Sequence, residues 1–463
     1  MPTIALVSLG CAKNLVDSEL ILGRLAEDGY TITTDRARAE IIIVNTCGFI
    51  TPAKEEAISA LLEAVAWKKK GRCRLVAGVG CLVQRYGEEL RRELPEVDLW
   101  AARSNYGILA RLLRRAEAEH GLLAAGSPVM HHDAHWPRLR STPPHRAYLR
   151  IADGCDNRCR YCTIPLIRGA YHSRPPDDIL AEAFVLAHQG VVEVDLIAQD
   201  TTAYGHDLPG APSLAVLLRS LLKIAGPRWW RLLYTHPAKI DTALIGLLAE
   251  GGGLCRYLDL PLQHISGRIL RDMGRPEDPD EVRGLLAELR KRVPDLAIRT
   301  TFIAGYPGET EKEFAELLSF LREQRFSWVG VFPFSPEEGT PAAALPLQVP
   351  EPLKEERRLQ ALALQQSISR DLRRKRLGTA VQVLVEGPHP ERTGIWIARS
   401  EMEAPEVDGL IHVRTEHDYS GKIIPVKIVK AGVYDLEALP LPDASDSNPA
   451  LAGVSRTASK LVL

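Results

Sequence analysis

Short apolar segments alternate with amphipathic segments along most of this 463-residue chain. Runs such as Thr3–Leu9, Ile41–Val44 and Leu75–Val79 have the length and the β-branched content of buried strands. Between them lie segments with helical periodicity, for example Ser18–Asp28. Because strands that alternate with helices favour a parallel sheet covered by helices, we assign residues 1–138 to a first α/β domain.

The alternation continues through residues 139–376, after a His-rich connection at residues 131–138 that we interpret as a linker. Six apolar strands are predicted in this second segment, namely Tyr148–Ile151, Val191–Ile197, Trp230–Tyr234, Tyr257–Leu260, Ala297–Ile303 and Trp328–Phe332. Six βα units are too few for a closed eight-stranded barrel. The Rossmann-like parallel sheet of the first domain is therefore followed by a partial (βα)6 barrel, with polar residues at the carboxyl ends of its strands.

The pattern changes after a basic amphipathic helix at about Leu353–Arg376. Residues 377–440 contain β-like segments separated by glycine and proline, which predicts a small antiparallel β-barrel. Residues 381–440 hold ten Asp and Glu against six Lys and Arg, a net charge of −4. Since nucleic-acid affinity depends on basic side chains, we expect a basic protein partner for this barrel. Residues 441–463 are predicted to be a disordered tail.

Overall composition excludes some classes of protein. Lys and Arg number 58 and Asp and Glu 59, so bulk charge favours neither nucleic acid nor a membrane surface. No apolar run is long enough to span a bilayer, and the N-terminus lacks the basic region of a signal peptide. We therefore expect a cytoplasmic protein with no membrane partner, in which cysteines stay reduced and serve metals or catalysis.

Three cysteines lie within eight residues, as Cys155-x3-Cys159-x2-Cys162. Thiolates are soft ligands that select zinc, copper(I) or iron–sulfur clusters, and zinc sites usually combine two separate ligand pairs. Three thiolates on one loop instead fit a [4Fe–4S] cube whose fourth iron stays open for another ligand. A zinc knuckle and buried structural thiols remain alternatives, although Arg158 and Arg160 make the loop polar for a core.

Three further cysteines, Cys11, Cys47 and Cys81, each follow a predicted strand and each adjoin a glycine. The carboxyl ends of parallel strands meet at one edge of a sheet, so these thiols are expected to converge there. Their convergence predicts a second cluster, with burial as three small core side chains as the alternative. Cys73 and Cys255 have no such partners and are assigned to structure.

The cysteine loop, with Tyr161 directly before its last cysteine, resembles that of the radical S-adenosylmethionine (SAM) enzymes. The preceding domain with three scattered cysteines, and the following small barrel of the TRAM type, narrow this resemblance to the methylthiotransferases over about residues 1–440. Within that family, four stretches resemble the RimO branch, which modifies a ribosomal protein, rather than the MiaB branch, which modifies tRNA. These stretches are residues 8–19, 153–156, 199–202 and 261–266.

The resemblance implies that Cys155, Cys159 and Cys162 hold the catalytic [4Fe–4S] cluster that cleaves SAM. It implies that Cys11, Cys47 and Cys81 hold an auxiliary [4Fe–4S] cluster that supplies sulfur. The implied SAM contacts are Tyr161 near the adenine, Glu193 at the methionine amino group, and Gln199, Gln263, Arg299 and Gly305 on strands or strand ends facing SAM. For Gln199 and Gln263, simple capping of strand ends remains an alternative.

The implied reaction inserts a methylthio group at an aspartate β-carbon in the small-subunit ribosomal protein of the decoding centre, its twelfth protein. Because that C–H bond is unactivated, a cofactor must supply a radical. The implied partners are this protein and a low-potential electron donor of the flavodoxin or ferredoxin type, and nucleic acid is not expected as the substrate. Two alternatives stay open: methylthiolation of tRNA adenosine, and a non-catalytic iron–sulfur or zinc protein that binds RNA.

Overall fold

The computed structural model describes residues 2–130 and 132–442. His131 of the predicted linker, and the predicted disordered tail from residue 443 onward, lie outside the described residues. The division of the chain after residues 138 and 376 stays a prediction. Among the described residues, no helix combines the length and the apolar character needed to cross a bilayer.

The N-terminal segment is a six-stranded parallel sheet in the order β2-β1-β3-β4-β5-β6. Its strands are β1 (Thr3–Ser8), β2 (Thr31–Ile32), β3 (Ile41–Thr46), β4 (Leu75–Gly80), β5 (Leu99–Ala101) and β6 (Leu122–Ala124). Its helices are α1 (Ala12–Glu27), α2 (Thr51–Lys70), α3 (Cys81–Glu93) and α4 (Leu109–Ala116). Helices α1 and α4 contribute to the apolar core on one face, and α2 and α3 to a separate core on the other.

The central segment forms two three-stranded parallel sheets, β11-β10-β7 and β12-β13-β14. Its strands are β7 (Arg146–Arg150), β8 (Ala152–Asp153), β9 (His172–Ser173), β10 (Glu193–Ile197), β11 (Trp229–Leu232), β12 (Tyr257–Asp259), β13 (Ala297–Ala304) and β14 (Trp328–Pro333). Its helices are α5 (Ile164–Arg168), α6 (Pro176–His188), α7 (Leu214–Leu221), α8 (Thr242–Glu250), α9 (Gly267–Asp272), α10 (Pro279–Arg292), α11 (Glu311–Gln324) and α12 (Glu351–Lys375).

Backbone hydrogen bonds join the two central sheets into one curved wall. The N–H of Cys255 donates to the Trp230 carbonyl at 2.9 Å, and the N–H of Thr235 donates to the Asp259 carbonyl at 3.0 Å. Strands β7, β10, β11, β12, β13 and β14 are thus the six strands of an open barrel, which confirms the predicted partial barrel. The large apolar core lies between this wall and its outer helices.

The C-terminal segment is a closed barrel in the order β15-β16-β17-β19-β18. Its strands are β15 (Ala380–Pro388), β16 (Ile395–Arg399), β17 (Ile411–Arg414), β18 (Ile423–Ala431) and β19 (Leu436–Pro440). The predicted small barrel is confirmed, but β17 and β19 pair in parallel. A closed ring of five strands cannot alternate direction throughout, so one pair of neighbours must run parallel.

The connection between β16 and β17 packs against the amino-terminal end of the central barrel. Trp328, the first residue of β14, donates its indole N–H to the Met402 carbonyl at 2.8 Å. Tyr257, the first residue of β12, donates its hydroxyl to Asp408 at 2.7 Å. The small barrel therefore covers the amino ends of the strands, whereas the carboxyl ends face the N-terminal segment.

Candidate active site

The structure brings Cys11, Cys47 and Cys81 together at the carboxyl edge of the N-terminal sheet. Cys11 precedes α1, Cys47 follows β3, and Cys81 is the first residue of α3. A Cβ atom added to Gly10, whose φ is +88°, would lie 2.9 Å from the Cys47 Cβ and 3.0 Å from its Sγ. A Cβ added to Gly48 would lie 3.0 Å from the Cys81 carbonyl carbon. We call these three cysteines the N-terminal triad.

The thiols of the N-terminal triad differ in their electrostatic surroundings. Burial, followed by the neighbouring Cys81, raises the pKa of the Cys47 thiol to about 12. Burial also acts to raise the pKa of Cys11, but the charges of Lys13 and Arg168 and two backbone N–H groups at the start of α1 outweigh it and lower that pKa. Among the three thiols of this triad, the surroundings therefore favour the thiolate form of Cys11.

Cys155, Cys159 and Cys162, which we call the loop triad, lie between β8 and α5 and are all partly exposed. The N–H of Cys162 donates to the Cys159 carbonyl at 3.1 Å, which folds the loop tightly. Burial raises the pKa of Cys155 to about 11 and of Cys162 to about 12. Because a cluster binds thiolates, loading either triad releases protons.

Neither triad is built as a mononuclear metal site. Within residues 2–130 and 132–442, no three histidine, cysteine or carboxylate side chains are arranged as ligands of one metal ion. A [4Fe–4S] cube spreads its protein ligands over separate iron atoms.

A single arginine connects the N-terminal triad to the helix that follows the loop triad. Arg168 ends α5, the helix that follows the loop triad, and its Nη2 atom lies 3.7 Å from the Cys81 Sγ of the N-terminal triad. The same guanidinium donates to Asp153 at 2.9 Å and to Asp17 at 3.1 Å. The helix that directly follows the loop triad is thus hydrogen-bonded to a thiol of the N-terminal triad.

Arg168 belongs to a buried network of five charged side chains, with Asp17, Asp153, Arg103 and Arg150. Arg103 donates to Asp153 at 2.5 Å, and Arg150 donates to Asp17. Burial alone would raise the pKa of both aspartates, but the arginines hold the pKa of Asp153 well below its usual range and lower that of Asp17. Three cations against two anions leave the network positive beside the N-terminal triad, which favours anionic ligands there.

The sequence alone did not identify this network. Asp17 and Asp153 lie in stretches that carry the family resemblance, yet nothing in the sequence indicated their role. No sequence pattern indicated a role for Arg103, because its partners Asp17 and Asp153 are 86 and 50 residues away in the chain.

A second contact fixes the other side of the interface. Glu337, in the turn after β14, is almost fully buried. Its carboxylate accepts hydrogen bonds from the Thr51 N–H at 2.8 Å, the Lys54 ammonium at 2.8 Å and the Arg85 guanidinium at 3.2 Å. The N-terminal segment is therefore held to the central barrel at two separate places.

Four of the predicted SAM contacts lie at or near the carboxyl end of the barrel. Gln199 follows β10, and both atoms of its amide are buried without a hydrogen-bond partner in the described residues, which disfavours simple strand capping. Gln263 has φ +68° and continues the ladder, since its N–H donates to the Thr301 carbonyl at 2.8 Å. Gly305 follows β13 with φ +73°, and Tyr161 packs beside the buried Tyr306 and its neighbours.

The structure places Glu193 and Arg299 elsewhere, so those two predictions are wrong. Glu193 is the first residue of β10, at the amino end, and accepts hydrogen bonds from Arg231 at 2.8 Å and Arg399 at 3.2 Å. These cations outweigh burial and hold its pKa at about 2. Arg299, near the start of β13, donates to Asp408 of the small barrel at 2.6 Å. The error came from placing an acidic motif at the start of a strand, whereas parallel strands present their carboxyl ends to the site.

Asp200 is the acidic residue that the structure offers at the correct end of β10. It accepts hydrogen bonds from Lys239 at 2.7 Å, Thr202 at 2.6 Å and Asn157 at 2.8 Å. Asn157 lies inside the cysteine loop, so Asp200 anchors that loop to the barrel. Asp200 belongs to residues 199–202, one of the four stretches that resemble the RimO branch, but the sequence did not single it out.

A cavity of about 480 Å³ opens beside Asp200 and the cysteine loop. Its walls include Cys155, Tyr171, Asp200 and Lys239. The volume is within the range of small-molecule sites, and its walls offer both acidic and basic groups.

Models of protein families match three regions of the chain. Residues 3–102 match the Uncharacterized protein family UPF0004, residues 149–321 match the Radical SAM superfamily, and residues 377–440 match the TRAM domain. A protein of Anaeromyxobacter sp. (strain K), described as ribosomal protein uS12 methylthiotransferase RimO, is 48% identical over 457 residues, which are 96% of this chain and 97% of that protein.

The chain belongs to the RimO family of radical SAM methylthiotransferases.

Other members of the RimO family show similar agreement. The protein of that name from Pelotomaculum thermopropionicum is 48% identical over 94% of this chain and 98% of its own length. The one from Geobacter sulfurreducens is 46% identical over 94% of this chain and 97% of its own length. Members of the RimO family from different bacteria therefore match nearly the whole chain, including all three segments.

Solved structures agree with the fold of this RimO family member. The radical SAM methyltransferase TsrM from Kitasatospora setae, solved with cobalamin and a [4Fe–4S] cluster, has a TM-score of 0.53 at 15% identity and covers 74% of each chain. The cobalamin-dependent SAM radical enzyme OxsB has a TM-score of 0.51 at 12% identity over 79% of this chain and 56% of that chain. At these identities the likeness concerns the fold alone.

Proposed function

We propose that this chain is a radical SAM enzyme that transfers a methylthio group to the β-carbon of an aspartate in ribosomal protein uS12. The observation that carries the proposal is the contact of the N-terminal triad with the helix that follows the loop triad, in which Arg168 of α5 lies 3.7 Å from the Cys81 thiol. Methylthio transfer needs one site that generates a radical and a second that delivers sulfur to the same carbon. Two cysteine triads, one of which contacts the helix that directly follows the other, are suited to that arrangement.

The residues present fit two [4Fe–4S] clusters and SAM. Six thiols fall into two groups of three, and each group leaves one iron of a cube without a protein ligand. At the barrel rim, the buried side-chain amide of Gln199 has no hydrogen-bond partner in the described residues, so it can form hydrogen bonds with a bound ligand. When bound, the cluster of the loop triad supplies the electron that cleaves SAM, which gives access to an unactivated C–H bond.

The chain itself contributes positioning and shielding. Asp200 holds Asn157 and thereby the cysteine loop against the carboxyl ends of the strands. The charged network with Arg168 holds the N-terminal segment against β7, β8 and α5, which flank the loop triad, because every member is bonded to another. The small barrel covers the amino ends of the strands through Met402 and Asp408, which limits water entry from that side.

We propose a low-potential electron donor of the flavodoxin or ferredoxin type as a further partner. SAM cleavage consumes an electron that the described side chains do not supply. Arg158 and Arg160 are exposed on the cysteine loop itself. Two cations beside the partly exposed loop triad favour an acidic donor, because complementary charge steers the encounter.

Methylthiolation of tRNA is the competing proposal, and the basic end of α12 would favour it if its side chains could reach the phosphates. In the structure, Arg373 of α12 is buried over the Trp328 ring, and Arg376 donates to Glu403 at 2.5 Å. These arginines are bonded to the small barrel, so they are poorly placed to contact phosphates. The support for tRNA as the substrate is correspondingly reduced.

The test is an assay with both candidate substrates. Enzyme carrying reconstituted clusters is incubated with SAM, a reductant and either purified uS12 or unmodified tRNA, and the products are identified by mass spectrometry. We expect one methylthio group on an aspartate of uS12 and none on tRNA. Modification of tRNA alone, or SAM cleavage with neither substrate modified, contradicts the proposal.

A further inference from the structure

Lys13 is a buried cation without a carboxylate partner, and the anion that acts on it most strongly is the Cys11 thiolate of the N-terminal triad. Its side chain belongs to a residue that is only 7% exposed. Within residues 2–130 and 132–442, every other buried lysine or arginine has a carboxylate at ion-pairing distance, whereas none stands at that distance from Lys13. Cys11 is a predicted cluster ligand, and a buried cation that has no carboxylate of its own is costly, so the retention of Lys13 indicates an anionic partner that comes from outside the chain.

The position of Lys13 links the two halves of the site. It lies in the first turn of α1, two residues after Cys11 of the N-terminal triad. Its ammonium stands 3.1 Å from the centroid of the Tyr234 ring, and Tyr234 follows β11 at the carboxyl end of the barrel. The ring holds the cation in place by a cation–π contact but does not neutralise it.

The two carboxylates whose charges act on Lys13, Asp259 and Asp153, are already used by other partners. Asp259 accepts the Tyr234 N–H at 3.0 Å and faces Arg299 at 3.9 Å. Asp153 is bonded to Arg103 and Arg168. The ammonium therefore remains available to a ligand that enters between the N-terminal triad and the barrel rim.

We propose that Lys13 binds the side-chain carboxylate of the acceptor aspartate and thereby selects an acceptor that carries a carboxylate. The inference rests on the proposed function, because it takes aspartate as the residue that is modified. In aspartate the carboxylate is bonded directly to the β-carbon. A cation that fixes the carboxylate therefore also fixes the C–H bond between the triads.

The experiment measures binding to the holoenzyme rather than turnover alone. The probes are purified uS12 and a uS12 variant with asparagine at the acceptor position, and the dissociation constants are measured by fluorescence anisotropy. Wild-type enzyme is expected to bind the aspartate form at least about 30-fold more tightly, which is the effect of losing one partner of a buried charge pair. The Lys13→Gln enzyme should bind both forms equally.

Two matched variants serve as controls. Lys13→Arg keeps the charge and should keep a preference for the aspartate form. Lys68→Gln removes a lysine that pairs with Asp98 on the far side of the N-terminal sheet, and should bind as the wild type does. Iron content and SAM cleavage without acceptor are measured for each variant, because Lys13 adjoins a cysteine of the N-terminal triad.

Equal affinity of the wild-type enzyme for both uS12 forms overturns this inference, and so does a preserved preference in Lys13→Gln. If Lys13→Gln loses iron, the inference can still be tested, because the affinities of the wild-type enzyme for the two uS12 forms do not depend on that variant. A failure of the proposed function is distinct, because in that case wild-type enzyme leaves uS12 unmodified whatever residue stands at position 13.

Discussion

The six clustered thiols differ in how the backbone holds each of them. Cys11 stands at the start of α1, where free N–H groups favour a thiolate, whereas burial raises the pKa of Cys81 at the start of α3. The loop triad has no long helix beside it and is held by turns and by Asn157. The two triads are therefore held by different backbone elements. Loss of a thiol in one triad should leave the other triad intact.

Substitution of single cysteines separates the two roles. Cys155→Ala should abolish formation of deoxyadenosine from SAM, since the SAM-cleaving cluster loses a ligand. Cys47→Ala should preserve deoxyadenosine formation within about threefold and abolish methylthio transfer, because only the sulfur-supplying cluster loses a ligand. Both products are measured by liquid chromatography, and Cys73→Ala is the control. Methylthio transfer by Cys47→Ala would show that the second cluster is not the sulfur source.

Asp195 predicts a pH dependence of stability. Both of its oxygens are buried without a hydrogen bond, because the nearby Arg231 Nε donates to Glu193 instead. Burial, with repulsion from Glu193, raises its pKa to about 7. The folded state therefore keeps a proton that the unfolded chain loses near pH 4, and the resulting stability falls as the pH rises from about 4 to 7.

Replacement of Asp195 by asparagine removes that titration. Asp195→Asn should gain about 3 kcal/mol of stability relative to the wild type as the pH rises from 5 to 8, because about two pKa units lie between pH 5 and the raised pKa of Asp195, at about 1.4 kcal/mol per unit. The thermal midpoints of both proteins at several pH values give the difference. A difference that does not change with pH contradicts the assigned protonation state.

At the scale of elements, the barrel strands were predictable and some helix starts were not. The six barrel strands are apolar runs, and all six were found close to the predicted bounds. Helix α1 was predicted from Ser18 but begins at Ala12. Its first turns contain Lys13, Asn14 and Asp17, which are buried against the site rather than exposed, so they broke the expected periodicity.

Other features could not be read from local pattern for equally physical reasons. Strand β2 has two residues and β6 has three, which is too short for a periodic signal. The small barrel does carry the excess of acidic residues counted in the sequence. However, Glu403, Glu406 and Asp408 pair with arginines of the preceding segment. That charge serves internal packing, so it was a weak argument for a basic partner.

The turn between β1 and α1 predicts a selective effect on one cluster. Gly10→Ala should displace Cys47, because the new methyl group would stand 2.9 Å from its Cβ at a φ of +88°. We expect about half of the iron per chain to be lost, with deoxyadenosine formation retained. Gly121→Ala is the matched control, since its φ is +68° but nothing lies within 4 Å. Its strain of about 1 kcal/mol should leave the iron content unchanged, as measured by iron analysis. Equal iron loss in both variants would show that backbone strain alone is responsible.

At the scale of the whole molecule, the central barrel is closed differently at its two ends. The N-terminal segment meets the carboxyl ends of the strands through Arg168 and Glu337. The small barrel meets the amino ends through Arg399, which is fully buried and bonded to Glu193 and Glu386. The proposed function places the chemistry at the first interface, so the second interface should act on stability without changing the clusters.

Arg399→Met tests this separation. It removes the guanidinium that compensates Glu193, and breaking a buried charge pair typically costs about 3–5 kcal/mol. The thermal midpoint should fall by several degrees, whereas iron content and SAM cleavage measured well below that midpoint should match the wild type. Lys430→Met removes an exposed pair with Glu437 in the same barrel and should cost less than about 1 kcal/mol.

Adding Glu193→Gln to Arg399→Met removes the uncompensated anion, so the double variant should lose less stability than the two single losses combined. A loss of iron in Arg399→Met at low temperature would instead mean that the two ends of the barrel are coupled.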